Sequence, residues 1–206
     1  MEKKFVIYFF LFLGAALIIS SCEKDTVFKP VVIMQNPDVK VGQAYQGGLV
    51  FYILKPYDHG YELHTTHGLI MDTLGNIGAT SPTDLGTPLQ WSAGSCKMLG
   101  ATRVIPGTGY SNTNIIVDSL GAGSYAAKLC SDLVVNGYSD WYLPNDNEMR
   151  HLLGYGLYAN ALTNMYWTST ELDDCEARTF YKESINVMTS GLGKNGTAYV
   201  RAIRAF

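Results

Sequence analysis

The sequence predicts an α+β domain over residues 42–206, and three observations carry that expectation. Leu49-Val50-Phe51-Tyr52-Ile53-Leu54 follows the break Gly47-Gly48 as a run of β-branched and aromatic residues, the pattern of a buried strand. Within residues 125–134, Ala126, Leu129, Cys130 and Leu133 recur at three- and four-residue spacing, which puts them on one side of a helix. Asn145 is followed three residues later by Glu148, matching the reciprocal cap in which each side chain bonds the other residue's backbone N–H. A second helix is therefore expected to start at Asn145, with Met149, Leu152 and Leu153 as its apolar side.

The remaining elements follow in chain order. Residues 61–71 form a second strand candidate. Residues 72–88 are Gly, Thr, Asn, Pro and Asp with few apolar side chains, which predicts a long surface loop. Residues 91–99 predict a short helix, and residues 107–114 a polar turn ahead of Ile115-Ile116-Val117. Asn136-Gly137 stops the first well-patterned helix. Residues 166–170, 177–181 and 199–206 predict strands separated by Gly and Asn turns. There is no internal repeat and no heptad pattern.

Ahead of the domain the composition changes. Lys3 and Lys4 precede residues 5–19, which carry no charge, and Ser20, Ser21 and Cys22 follow. This is the layout of an export signal over residues 1–21. Its apolar run of about 15 residues falls short of the roughly 20 that a membrane-crossing helix needs. Ile19-Ser20-Ser21-Cys22 resembles a bacterial lipobox, which implies acylation of Cys22 and cleavage before it. The plainer alternative is an ordinary signal with Cys22 left as a thiol. Residues 22–41 hold charges, Pro30, Pro37 and one short apolar stretch, and read as a lipidated tether. Glu23-Lys24-Asp25 resembles the short signals that send some lipoproteins to the outer face of the outer membrane. The expected location is thus the outer membrane at the cell surface, with the lipid as membrane partner.

The chain has 15 Lys and Arg against 18 Asp and Glu, a net charge of −3. Losing Glu2, Lys3 and Lys4 with the signal makes the remainder more acidic, which argues against nucleic acid as a partner. After Cys22 come Cys96, Cys130 and Cys175, and export permits a disulfide. The expected pair is Cys96 with Cys130, the latter on the inner side of its helix. Cys175, among Asp173, Asp174 and Glu176, reads as the thiol left over in an exposed loop.

Several stretches together resemble one family. They are Gly47-Gly48-Leu49-Val50-Phe51-Tyr52-Ile53, His67-Gly68-Leu69-Ile70, Gly107-Thr108-Gly109 with Asn112-Thr113, Ala126-Ala127-Lys128-Leu129-Cys130, Asn136-Gly137-Tyr138-Ser139-Asp140-Trp141-Tyr142-Leu143-Pro144 with Glu148, Tyr166-Trp167-Thr168-Ser169-Thr170-Glu171, and Val200-Arg201-Ala202-Ile203-Arg204-Ala205-Phe206. In this order they resemble the C-terminal domain of collagen-like bacterial adhesins (the Lcl C-terminal family), a domain also found in bacterial surface lipoproteins. The resemblance implies a C-type-lectin-like fold: two helices, a twisted antiparallel sheet, and first and last strands side by side. The adhesin member implies binding of sulfated polysaccharide. This chain departs from the pattern in lacking collagen-like repeats and in the length of residues 71–88.

Trp141 and Trp167, with Asp140 and Arg201, are the candidate ligand-binding residues. The rings could stack on a sugar, although large rings flanked by short polar residues more often anchor a core. Asp140, Arg201 and Arg204 could equally form a structural charge cluster. His64 and His67 are three apart, and on a strand that spacing faces opposite sides, so no metal site is expected. The Glu-Pro-Asn, Gln-Pro-Asp and Trp-Asn-Asp loops of calcium-dependent lectins are missing. Asn36-Pro37-Asp38 lies in the tether and Pro144-Asn145-Asp146 is a helix cap, so binding without calcium or another cofactor is expected. No Gly-x-Ser-x-Gly elbow occurs, Gly107-x-Gly109 has no acidic partner for a dinucleotide, and a Cys175–His151 nucleophile pair has no flanking signature. These readings favour a non-enzymatic surface lipoprotein that binds a glycan or protein. The alternative is a structural or accessory subunit of a cell-envelope or fimbrial assembly.

Overall fold

The computed structural model describes residues 38–72, 88–154, 164–183 and 186–206. Cys22, the signal and most of the tether lie outside the described residues, as does nearly all of the loop expected over 72–88. The elements are β1 (Ala44–Tyr45), β2 (Gly48–Ile53), β3 (Gly68–Met71), β4 (Leu89–Gln90), α1 (Gly109–Leu120), α2 (Ala126–Ser131), α3 (Asp146–Gly154), β5 (Tyr166–Glu171), β6 (Glu176–Glu183), β7 (Asn186–Gly193), β8 (Thr197–Ala198) and β9 (Ile203–Ala205). Three antiparallel sheets result, ordered β1-β2-β3-β9, β4-β8 and β5-β6-β7. The domain is α+β. Among the described residues no helix is long and apolar enough to cross a membrane.

β2 shows no alternation of apolar and polar residues because both of its faces are covered. Val50 packs into a cluster with Trp91, Trp141 and Trp167. Leu49 and Phe51 turn the other way, against Met149, Leu152 and Phe180. The expectation of adjacent first and last strands is corrected here. β9 pairs with β3, through Leu69↔Ala205 and Met71↔Ile203, whereas β1 pairs with β2. The two outermost strands in sequence share a sheet but occupy its opposite edges, because the β2–β3 pair fills the middle.

There are three described helices rather than two. α1 covers the residues expected to form a polar turn, and the region 91–99 forms no helix. The buried side of α1 is Gly109, Asn112, Thr113 and Ile116, largely small or polar, so hydrophobic spacing does not reveal it. Hydrogen bonds hold this side instead. The Asn112 amide takes the N–H of Arg103 at 3.1 Å and donates to its carbonyl at 2.7 Å. Thr113 Oγ1 exchanges bonds with the backbone of Leu143.

The cap at Asn145 forms as the spacing predicts. Glu148 N–H donates to Asn145 Oδ1 at 3.0 Å, and Asn145 N–H donates to Glu148 Oε2 at 2.8 Å. The buried Glu148 carboxylate also accepts the N–H groups of Gly107 at 2.7 Å and Gly109 at 3.3 Å, so it serves the N-terminal ends of α1 and α3 together. Position 109 must be glycine, since a Cβ there would collide with the carboxylate. Burial outweighs these N–H donors and pushes the Glu148 carboxyl up to about 7 from its ordinary 4.5. Between those values the folded state holds a proton that the unfolded state has released. The associated stabilisation is complete below about pH 4.5 and is lost as the pH rises through 7. Urea unfolding should therefore show wild type losing about 3 kcal/mol more than Glu148→Gln between pH 4.5 and 8. Parallel pH profiles for the two proteins would show that Glu148 is not the group responsible.

The disulfide expectation is also corrected. Cys96 is bonded to Cys175, with Cα atoms 4.3 Å apart, and Cys130 is a free buried thiol. The spacing that puts Cys130 on the inner side of α2 sinks it in the core, where burial pushes its pKa well up. Cys96 and Cys175 meet on loops at the β4-β8 end, where Lys194 N–H donates to the Cys175 carbonyl at 2.7 Å.

Candidate functional site

The residues expected to bind ligand do not form a surface. Trp141 and Trp167 are 1% and 0% exposed. Their indole N–H groups are spent internally, on the carbonyls of Tyr138 at 3.1 Å and Leu89 at 2.7 Å. A ring so enclosed cannot stack on a sugar, and both tryptophans are core anchors. Arg201 is buried as well, donating to the Asp72 carbonyl at 3.0 Å, with the Asp72 carboxylate 3.7 Å away. Asp140 is half-exposed but held by a two-pronged bond from Arg204 at 2.7 and 2.8 Å, which keeps its carboxyl below the usual range. Arg204 in turn lies 4.1 Å over the Tyr138 ring and donates to Gln46. The charge cluster is therefore Asp140 with Arg204, and Arg201 belongs to a separate buried pair.

His64 sits on a turn with φ of 68°, while His67 faces Glu62 at 3.4 Å and the Phe206 carbonyl at 2.9 Å. Among the described residues no cluster of three metal-ligating side chains occurs. Cys175 is tied up in the disulfide, so the Cys175–His151 pair has no thiol to offer.

A groove lies elsewhere, between the end of β2, the turn after it and α3. There Phe51, Tyr52, Lys55, Arg150 and His151 line an open groove of about 450 Å³. The Tyr52 and His151 rings stack with centroids 4.1 Å apart and planes 19° off parallel. Tyr52 Oη donates to Asp58 Oδ2 at 2.8 Å, and the same oxygen accepts Lys55 N–H at 2.7 Å, so one carboxylate fixes both the ring and the turn. Burial and this bond push the Tyr52 pKa well up, keeping the phenol a donor. Lys55 Nζ lies 5.5 Å from the Tyr52 ring, and the Arg150 guanidinium lies 5.1 Å over Phe180. Burial first, then the Lys55 charge, pushes the His151 pKa down, so the imidazole is neutral at pH 7. Phe51 and Tyr52 are 3% and 8% exposed and belong to the core beneath the groove, so what the groove offers an anionic ligand is the charge of Lys55 and Arg150 rather than a stacking face.

A sequence signal for this groove existed in retrospect. Arg150-His151 follows the capped start of α3, on the turn after its first buried residues, but nothing local ties it to Tyr52 and Lys55.

No family model matches the chain, and no curated protein does. Among solved structures, a fimbrial protein from Bacteroides ovatus ATCC 8483 is similar at 14% identity with a TM-score of 0.47, over 76% of this chain and 43% of that one. The chain thus spans less than half the length of that structure.

Proposed function

We propose that the chain is a lipid-anchored surface protein whose domain, residues 42–206, is a C-type-lectin-like module that binds a glycan or protein ligand without chemically changing it. The sequence supports the anchor through the lipobox-like Ile19-Ser20-Ser21-Cys22, and the ordered blocks of residues support the family. The observation that carries the binding reading is the groove that Lys55, Arg150 and His151 line together, with His151 stacked on Tyr52. Replacing Lys55 and Arg150 together with alanine should weaken binding at least tenfold, judged on a glycan array probed with the full chain in detergent. A charge-assisted hydrogen bond from either cation to the ligand contributes roughly 1.5–3 kcal/mol. Binding that survives the double substitution would move the site elsewhere. Mass spectrometry of the mature N-terminus should show an acylated Cys22, and an unmodified cysteine there would sink the anchor.

A second reading, a structural or accessory subunit of an envelope or fimbrial assembly, is favoured by the open edge of β7 described next.

A further inference from the structure

β7 ends its three-stranded sheet, and among the described residues nothing pairs with its outer edge. Other edges are short or covered. β1, β4 and β8 span two residues each, and β9 is bridged by Tyr142 through Ile203. On the outer side of β5, Trp167, Ser169 and Glu171 donate their N–H groups to the carbonyls of Tyr199, Pro144 and Ala101. β7, by contrast, offers eight residues, Asn186–Gly193, with no charge and no proline, the usual protections of an exposed edge.

The register shows which groups are available. Lys194 N–H donates to the Cys175 carbonyl at 2.7 Å, one step beyond the pair Glu176↔Gly193. Hydrogen-bonded pairs alternate along an antiparallel ladder, so Leu192, Ser190 and Met188 bond inward to β6. The backbone groups of Val187, Thr189 and Gly191, with the N–H of Gly193, then point outward, the Gly191 carbonyl already accepting Ser190 Oγ at 3.1 Å through one lone pair.

We propose that this edge docks a second copy of the chain, the two β7 strands pairing antiparallel about a two-fold axis at Ser190. The outward residues are alternate ones placed evenly about Ser190, so the axis sets Thr189 opposite Gly191 of the second copy and Val187 opposite Gly193. Each β-branched side chain meets a glycine, and about six interchain hydrogen bonds form. Met188, 39% exposed in the single chain, comes to face Leu192 of the second copy in the closer, non-hydrogen-bonded kind of pair. The strand itself carries no charge, and the nearest one is the Glu176 carboxylate that lies over Gly191. The contact is isologous and closes as a dimer. It does not depend on what the groove binds.

Ser190→Cys in the full chain tests the register directly. Two cysteines on the axis have Cβ atoms about 5 Å apart, close enough to oxidise with a small adjustment. Non-reducing electrophoresis should show a dimer that wild type lacks and that Thr189→Cys, offset by two residues from its own copy, forms far less. Ser190→Lys sets two ammonium groups face to face, and the variant should sediment in detergent as a monomer with an unchanged circular dichroism spectrum where wild type sediments as a dimer. Failure of Ser190→Cys to cross-link, a Ser190→Lys variant that still dimerises, or cross-linking of Ser190→Cys to a different envelope protein would each overturn the proposal.

Discussion

Lys194→Met should destabilise the domain by about 3–5 kcal/mol in urea unfolding at pH 7, although the substitution keeps the apolar stem and adds no bulk. The lysine is 1% exposed. Its three N–H bonds are all used: Glu171 Oε1 at 2.7 Å, the Lys97 carbonyl at 3.0 Å and the Asp174 carbonyl at 2.8 Å, with the Trp91 ring 4.9 Å away. Glu171, equally buried, accepts the N–H groups of Leu99, Gly100 and Ala101 at 2.9, 2.7 and 2.9 Å. Removing the ammonium leaves a carboxylate enclosed without a counter-charge. Two carbonyls lose their donor at the same time, and the burial of the pair keeps out the bulk solvent that would compensate in an exposed one. Pairing Lys194→Met with Glu171→Gln should cost less than the two single losses added together, because no charge is then stranded. A single-variant loss below about 1 kcal/mol would match a surface ion pair instead and contradict the burial seen here.

What the sequence revealed and what it hid divide by how local the cause is. β2 was legible because six consecutive residues state their burial, and the α3 cap because Asn145 and Glu148 are three apart. α1 was not, since its inward side is held by Asn112 and Thr113 through hydrogen bonds to Arg103 and Leu143 rather than by apolar spacing. β7 was hidden for a related reason: the stretch between the expected strands 177–181 and 199–206 reads only as Gly and Asn turns, and pairing with β6 is what extends Asn186–Gly193. The tryptophans were recognised as either platform or core, and the choice rested on where their indole N–H groups go, which no local pattern shows. The groove required Tyr52 and Lys55 to meet Arg150 and His151 across β2 and α3, an arrangement set by packing of the Phe51 and Leu152 cluster. Cysteine pairing was the furthest from reach, because a separation of 79 residues between Cys96 and Cys175 carries no signal in spacing.

Reducing that disulfide should lower stability by about 4.5 kcal/mol, the chain-entropy value for a closed loop of nearly eighty residues. For a domain of this size the loss corresponds to a fall in Tm of roughly 10–18 °C. Cys96→Ser combined with Cys175→Ser should reproduce the effect without reductant, and scanning calorimetry checks both. Peptide mapping under non-reducing conditions should join Cys96 to Cys175. A Cys96–Cys130 link would restore the pairing that helix spacing alone favours. Cys130, fully buried with its thiol pKa raised, should resist alkylation until the chain unfolds, and this separates native protein from mispaired protein in one experiment. The bond and the buried ion pair also share a corner, since Lys194 donates its N–H to Cys175 and its ammonium to Asp174 beside it. Opening the disulfide frees the backbone that supplies two of these bonds. Lys194→Met in the reduced protein should therefore cost measurably less than in the oxidised one, and strictly additive losses would show that the two supports act apart.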